Sequence, residues 1–318
     1  MVYVPATSQK SSAAPSAGFP VRPRLTLAVA AAHAAAAASS LLGHGGTSLP
    51  GLVSLRIEPR SARFLASQLG DGTIVVAGTN GKTTTTMLAA SALRAAGRHV
   101  LHNRAGSNMI RGIASTLVRE SALTGRVRHA VRLTGLFEVD EAALPRVLKE
   151  VSPRVVTLIN LFRDQLDRYG ELATTADRWR EALARLPEST IVVLNADDPL
   201  VASLAEAATG RVVFYGIDTW IGEGAAQTVP VRSADSLFCP RCSATLDFNQ
   251  ISYAHLGHYC CTACGFSRPH PNMSVAVTQH GVETSDLRMA YDGTEATCAL
   301  SLPGRYNAYN AAAAITTA

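Results

Sequence analysis

The chain carries little charge and little imbalance of it. Charged residues make up 17% of 318, and 29 Lys and Arg against 24 Asp and Glu leave only +5. So mild an excess excludes a nucleic-acid partner recruited by bulk charge, because a basic face would have to be local. Long apolar runs are also lacking. The most apolar stretch, Leu25 to Ala38, follows Arg22 and Arg24 and has the outline of a secretory h-region, yet it is too short to span a bilayer. Alanine is a weak hydrophobe and the best helix former, so this run predicts a helix near a domain start rather than an export signal. The first 24 residues, rich in Ser, Ala and Pro, predict disorder. Residues 1–40 therefore read as a disordered, alanine-rich N-terminal extension, and the domain proper as 41–318. Hydrophobic residues reach 47%, enough for a substantial core.

One absence is local and informative. From Ile74 to Thr86 the chain reads IVVAGTNGKTTTT, where the Walker phosphate loop would have glycine in place of Val76. The rest of the setting is intact: an apolar β-branched run leads in, and a helix-forming run, Met87 to Ala96, leads out. Backbone N–H groups of Gly78 to Lys82 would point inward at phosphate oxygens, with the helix dipole behind them. Lys82 would reach the β- and γ-phosphates, and the Thr83 hydroxyl would ligate Mg²⁺. ATP binding follows, and with it a cytoplasmic setting.

Strands and helices alternate around this loop. Strands are predicted at 100–102, 130–138, 155–160, 191–195 and 211–215. Helices are predicted at 59–69, 109–120, 141–149, 175–186 and 200–208, while Ser48 to Gly51 reads as a turn. The alternation predicts an α/β fold with a mainly parallel sheet covered on both faces. After Tyr215 the pattern breaks. Met273 to Gln279 and Thr297 to Leu302 read as strands of an antiparallel edge, and Tyr306 to Ala318 as an alanine-rich helix.

The break holds Cys239-Pro-Arg-Cys242 and Cys261-Thr-Ala-Cys264, a C-x2-C-x18-C-x2-C spacing that lets four thiolates surround a structural Zn²⁺. Gly265 suits the turn after the second pair, and Ser243 takes the matching place after the first. Cys260 competes with Cys261 for the ligand position, and Cys298 reads as a small buried hydrophobe. His255 and His258 read as surface or loop residues. Acidic residues recur where strands end, which is the ligand edge of an open α/β sheet. Glu138 is placed to hold Mg²⁺ with Thr83. Asp140 and Glu141 read as helix caps. Asn160 to Glu171 and Asn195 to Pro199 form two more such loops.

Together these residues resemble the Mur ligase family, ATP-dependent ligases of peptidoglycan synthesis. Gly78-Thr-Asn-Gly-Lys-Thr-Thr84 is similar to its phosphate loop, which accounts for Val76. The segment Glu138 to Glu141 resembles its Mg²⁺-binding glutamate, and Asn195 to Pro199 with Gly304 to Asn310 resemble its nucleotide-side motifs. The resemblance implies ATP contacts from Gly78, Thr79, Asn80, Gly81, Lys82, Thr83, Thr84, Asn307 and Asn310, with catalytic roles for Lys82 and Glu138. A four-cysteine zinc ribbon inserted at about 236–270 points to the MurT branch, ligase subunits of lipid II isoglutaminyl synthase. Phrases at Thr47–Gly51, Asn103–Met109, Arg163–Gly170 and His255–Tyr259 agree with it.

That branch implies ATP-dependent amidation of the D-glutamate α-carboxylate of lipid II through an acyl phosphate, with ammonia from a GatD-type glutaminase subunit. It also implies a position at the inner face of the membrane and no nucleic acid. Gln165 stands where the wider family has histidine, and 175–186 holds no lysine, so a second Mg²⁺ site is not expected. Family members continue into a C-terminal domain absent from 41–318, so ATP binding without complete turnover is the expectation for this stretch. The alternatives are an amino-acid-adding Mur or folylpolyglutamate-type ligase, and a fragment that binds ATP without complete activity.

Overall fold

A computed structural model describes residues 22–41, 48–103, 107–162, 171–220, 238–281 and 283–318. The segment Arg163 to Gly170, with Asp164 and Gln165, lies outside the described residues, as do residues 1–21, Thr47 and 104–106. The order is α1 (Pro23–Leu41), α2 (Leu49–Ile57), α3 (Ser61–Ala66), β1 (Thr73–Ala77), α4 (Lys82–Ala95), β2 (His99–His102) and α5 (Ile110–Arg119). It continues with β3 (Leu133–Val139), α6 (Leu144–Val151), β4 (Val155–Leu158), α7 (Glu171–Leu183), β5 (Ile191–Asn195), α8 (Pro199–Ser203) and β6 (Val212–Trp220). A hairpin, β7 (Asp247–Tyr253) and β8 (Leu256–Cys260), precedes β9 (Met273–His280), β10 (Ser285–Tyr291), β11 (Thr294–Leu300) and α9 (Arg305–Thr317).

The main sheet runs β11-β10-β9-β6-β5-β4-β1-β3-β2. Every pairing from β2 through β6 is parallel. Val75 and Ala77 face one core and Ile74 and Val76 the other, so all five residues of β1 are buried. α5 and α6 supply apolar stripes at helical spacing, Ile110, Ile113, Ala114, Leu117 and Val118, and Leu144, Val147, Leu148 and Val151. On the opposite face α9 lies beside α4. Alanines 311–314 of α9 are all buried, and their small side chains let the helix sit close to the sheet. After β1 the chain crosses to β2, returns through β3 and then passes to β4 on the other side of β1. That reversal opens a crevice at the carboxyl end of β1.

Three expectations need correction. Residues 23–40 are not an extension outside the domain: α1 buries Leu25, Ala28, Val29 and Ala32 against α2, α3 and α5. By length and composition alone its 19 residues would reach across a bilayer, more than the Leu25–Ala38 run suggests. The antiparallel edge begins one strand later than read, because β9 pairs parallel with β6 and only the β9–β10 and β10–β11 pairings are antiparallel. Ser48 to Gly51 does not turn but opens α2. Pro50 sits in the first turn, where a missing N–H is harmless, and the Gly51 amide donates to Ser115 Oγ at 2.7 Å.

A Cβ on Gly51 would lie 1.8 Å from the Arg111 carbonyl oxygen, so the α2–α5 approach requires glycine there. Gly51→Ala is expected to destabilise the chain by about 1–3 kcal/mol, as overpacking does. Denaturant unfolding checks this, and an unchanged midpoint would show that α2 can move aside.

Candidate functional site

The phosphate loop occupies the β1 crevice and is held from three sides. Gly78 is buried behind it, and Gly81, at φ +83°, starts α4 in the left-handed region that favours glycine. On one side the Asn160 side chain accepts from the Asn80 amide and donates to the Asn80 carbonyl, both at 2.9 Å. The Thr79 amide donates to the Asn160 carbonyl at 3.2 Å, and the Phe162 amide to Thr79 Oγ1 at 3.0 Å. Thus two of the five amides expected to face a phosphate are committed to Asn160. The start of α4, Gly81 to Thr84, is the part left to meet an anion.

On the second side stand Asn310 and Asn307, both buried. Asn310 Nδ2 donates to Asn307 Oδ1 at 2.9 Å, and Thr85 Oγ1 donates to Asn310 Oδ1 at 3.4 Å. A Cβ on Gly81 would meet Asn310 Oδ1 at 2.1 Å. The two asparagines therefore brace the back of the loop.

The third side is acidic. Lys82 Nζ donates to the carbonyls of Gly78 at 2.7 Å and Thr79 at 3.0 Å, and lies 3.6 Å from Glu141 and 3.9 Å from Asp140. Asp140 and Glu141 thus face the loop lysine; the α6 cap position belongs to Ala143. Thr83 Oγ1 donates to Glu138 Oε1 at 3.0 Å, and Asn108 Nδ2 reaches the same oxygen at 2.9 Å and Asp140 Oδ1 at 3.2 Å. Asn103 fixes Glu138 from behind, accepting from its amide and donating to its carbonyl, both at 2.9 Å. A hydroxyl and a buried carboxylate in contact, with a second carboxylate one residue beyond the strand, form an oxygen set that suits a hard divalent cation. Sequence reasoning quoted Asn103, Asn108 and Asn160 without giving them these roles. An asparagine at a strand exit has no spacing signature of its own.

The acidic residues of the Asn195–Pro199 loop turn inward. Asp197 and Asp198 are fully buried. Asp197 accepts from Arg268 Nε at 2.6 Å, Tyr309 Oη at 2.7 Å and the Ile217 amide at 3.0 Å. Burial raises its carboxyl pKa, and Arg268 pulls it back. Burial, with Asp197 and Asp198 nearby, pushes the Tyr215 and Tyr259 phenols well above 10, so both stay neutral donors. Asp198 caps α8, with Oδ1 accepting from the amides of Leu200 and Val201.

The cysteine block is a ribbon whose two knuckles match. The Cys239 amide donates to the Ala244 carbonyl and the Cys261 amide to the Phe266 carbonyl, both at 2.7 Å. Ser243 and Gly265 both take positive φ, 61° and 76°, at the equivalent position. The sulfurs of Cys239, Cys242, Cys261 and Cys264 all lie within 4.8 Å of one another, with 3.5 Å between Cys239 and Cys264 and between Cys242 and Cys261. A tetrahedron with metal–sulfur bonds of about 2.3 Å has edges of about 3.8 Å, so the four residues fit a thiolate metal site. Cys260 lies on β8 outside this group. Without a cation, four thiols this close cannot all ionise. Burial opposes ionisation of Cys261, but the amides of Cys264 and Ala263 and the Cys242 thiol bring it down to about 7. His255 is fully buried, contrary to the surface reading, and His258 is half-buried with Nε2 3.0 Å from the Ile217 carbonyl oxygen.

Comparison with known proteins agrees with this geometry. The Mur ligase middle domain family matches residues 76–318. The chain is 34% identical over 293 residues to the lipid II isoglutaminyl synthase (glutamine-hydrolyzing) subunit MurT of Staphylococcus aureus, covering 91% of this chain and 61% of that protein. It is 35% identical over 294 residues to the MurT of Streptococcus pneumoniae, covering 92% and 62%. The chain thus spans about three fifths of the length of these relatives. Among solved structures, a pseudomurein peptide ligase type C from Methanothermus fervidus superposes with a TM-score of 0.57 at 25% identity, over 77% of this chain and 45% of that one.

Two outcomes follow from the site. Cobalt titration is expected to give thiolate-to-metal absorption at one equivalent per chain, lost in Cys242→Ser and kept in Cys260→Ser. Loss in the Cys260 variant would reassign the ligand. Gly81→Ala, strained and clashing with Asn310, is expected to weaken MgATP binding by about tenfold or more by calorimetry.

Proposed function

The chain belongs to the Mur ligase family, and from that premise we propose that it is the ATP-binding part of a lipid II isoglutaminyl synthase. The observation that carries the reading is the contact of Thr83 with Glu138 beside Lys82, joined in one chain to a four-thiolate ribbon. A carboxylate is a poor electrophile until one of its oxygens leaves as phosphate. ATP supplies that phosphate to the α-carboxylate of the D-glutamate in lipid II, and ammonia from a GatD-type glutaminase subunit displaces it to leave D-isoglutamine.

The protein's share is positioning and charge. The amides at the start of α4 hold the phosphates, and Lys82 leaves the Gly78 and Thr79 carbonyls to neutralise the transferring group. Thr83 and Glu138 would hold Mg²⁺, which would supply positive charge against the phosphates. Asn108 holds Glu138 in place, and Asn307 and Asn310 keep the loop seated on the nucleotide side. Zinc in the ribbon is structural, because four thiolates leave no coordination position open. The work is done in the cytoplasm at the inner face of the membrane, where the lipid-linked substrate resides.

The test joins the chain to the C-terminal part of a MurT relative, supplies MgATP and lipid II with either ammonium or free amino acids, and reads the product by mass spectrometry. Conversion of one carboxyl to a carboxamide with ammonium alone is the expected result, and Lys82→Ala is expected to lower its rate about a hundredfold or more. Product with an amino acid and none with ammonium would move the chain to the amino-acid-adding ligases.

A further inference from the structure

His255 takes no part in the chemistry above and is no ligand of the cysteine cluster, yet its side chain is fully buried between them. It sits at the tight end of the ribbon hairpin, after Ala254 at φ +51°, where β7 turns into β8. Its Nε2 is 3.2 Å from Asp198 Oδ2. That oxygen also accepts from the Leu161 amide at 2.9 Å. The imidazole and the Leu161 amide thus meet at one carboxylate oxygen. The ring lies against Phe162, centroid to centroid 4.6 Å. Phe162 in turn donates its amide to Thr79 Oγ1 in the phosphate loop at 3.0 Å. A continuous path therefore runs from the ribbon tip through Asp198, Leu161 and Phe162 to Thr79.

The position is not explained by packing. Among the described residues His255 Nδ1 is buried without a hydrogen-bond partner, a cost that leucine or phenylalanine would avoid. The Nε2 contact with Asp198 is what the histidine offers that an apolar side chain would not. The ribbon grips the same loop at further points. The Gly257 amide donates to the Asp197 carbonyl at 2.9 Å, and Tyr259 Oη to the Ala196 carbonyl at 3.1 Å. At the cysteine end, Cys239 and Cys261 pack with Tyr259, Phe266 and Ala202 of α8, the helix that Asp198 caps. Both ends of the ribbon thus bear on one short helix and its cap.

We propose that His255 is a positioning residue for the phosphate loop: it holds Asp198, and through it Leu161 and Phe162, against Thr79, so that metal loading of the ribbon and ordering of the loop are linked. The proposal deepens the reading of Gly78–Thr84 as the nucleotide loop. The ribbon becomes a clamp on the ATP site rather than an ornament beside it.

Hydrogen exchange by mass spectrometry tests it on the nucleotide-free chain, so the result does not depend on ATP being the ligand. In His255→Ala, peptides covering Thr79 to Thr84 are expected to exchange about tenfold faster, with metal content and cooperative melting retained. His255→Gln, which carries an amide N–H to nearly the same place as Nε2, is expected to restore slow exchange. MgATP affinity is expected to follow the same order. Unchanged loop exchange in His255→Ala, or failure of the glutamine variant to restore it, overturns the proposal. If His255→Ala does not fold, chelator-stripped wild type decides. Exchange rising in both ribbon and loop supports the linkage, and exchange rising in the ribbon alone overturns it. Wild type that orders its loop but does not bind MgATP would sink the nucleotide reading instead.

Discussion

The bidentate clasp between the Asn160 side chain and the Asn80 backbone is the interaction on which the site depends. A phosphate loop must expose amides to solvent until its ligand arrives, so little within the loop itself keeps it shaped. Asn160 replaces the missing internal bonds with two to a neighbouring strand exit, and Thr79 adds its amide to the Asn160 carbonyl. β1 and β4 are adjacent parallel strands, so their exits reach the same level of the crevice and the clasp costs no distortion. The rest of the site is registered from that point: Gly81 against Asn310, Lys82 at the helix start, and Thr83 one residue on, against Glu138.

Around this clasp the molecule spends buried polar groups freely. Asn195, Asp197, Asp198, Asn307, Asn310 and His255 are all buried, and Asn195, Asp197, Asp198 and His255 are fully so. Buried polar groups are costly unless satisfied, and nearly every one here is bonded. The return is uniqueness of position. Apolar contacts hold the two faces of the sheet but tolerate sliding, whereas a carboxylate shared by an arginine, a phenol and an amide, as at Asp197, fixes three segments at one place.

How much of this the sequence disclosed depends on the range of the signal. β1, the loop and α4 were legible because strand, glycine and helix signals lie within a dozen residues. The ribbon was legible because metal geometry imposes a spacing, and the matching turns at Ser243 and Gly265 were visible beside it. The packing of α1 was hidden because alanine scores as a weak hydrophobe, although its small size is what brings α1 against α2. β10 escaped notice because its buried residues, Leu287 and Met289, alternate with charge over too short a run. The inward turn of Asp197 and Asp198 could not be read at all. Their partners His255, Arg268 and Tyr309 lie 57 to 112 residues away, and no local pattern joins them.

Lys82 is bonded to two carbonyls of its own loop and faced by Asp140 and Glu141. Every anion that approaches must therefore outbid four oxygens already in place. A lone phosphate brings few contacts to that contest. A nucleoside triphosphate brings several at once, so the posture of one side chain would weigh in favour of a polyphosphate over its smallest fragment.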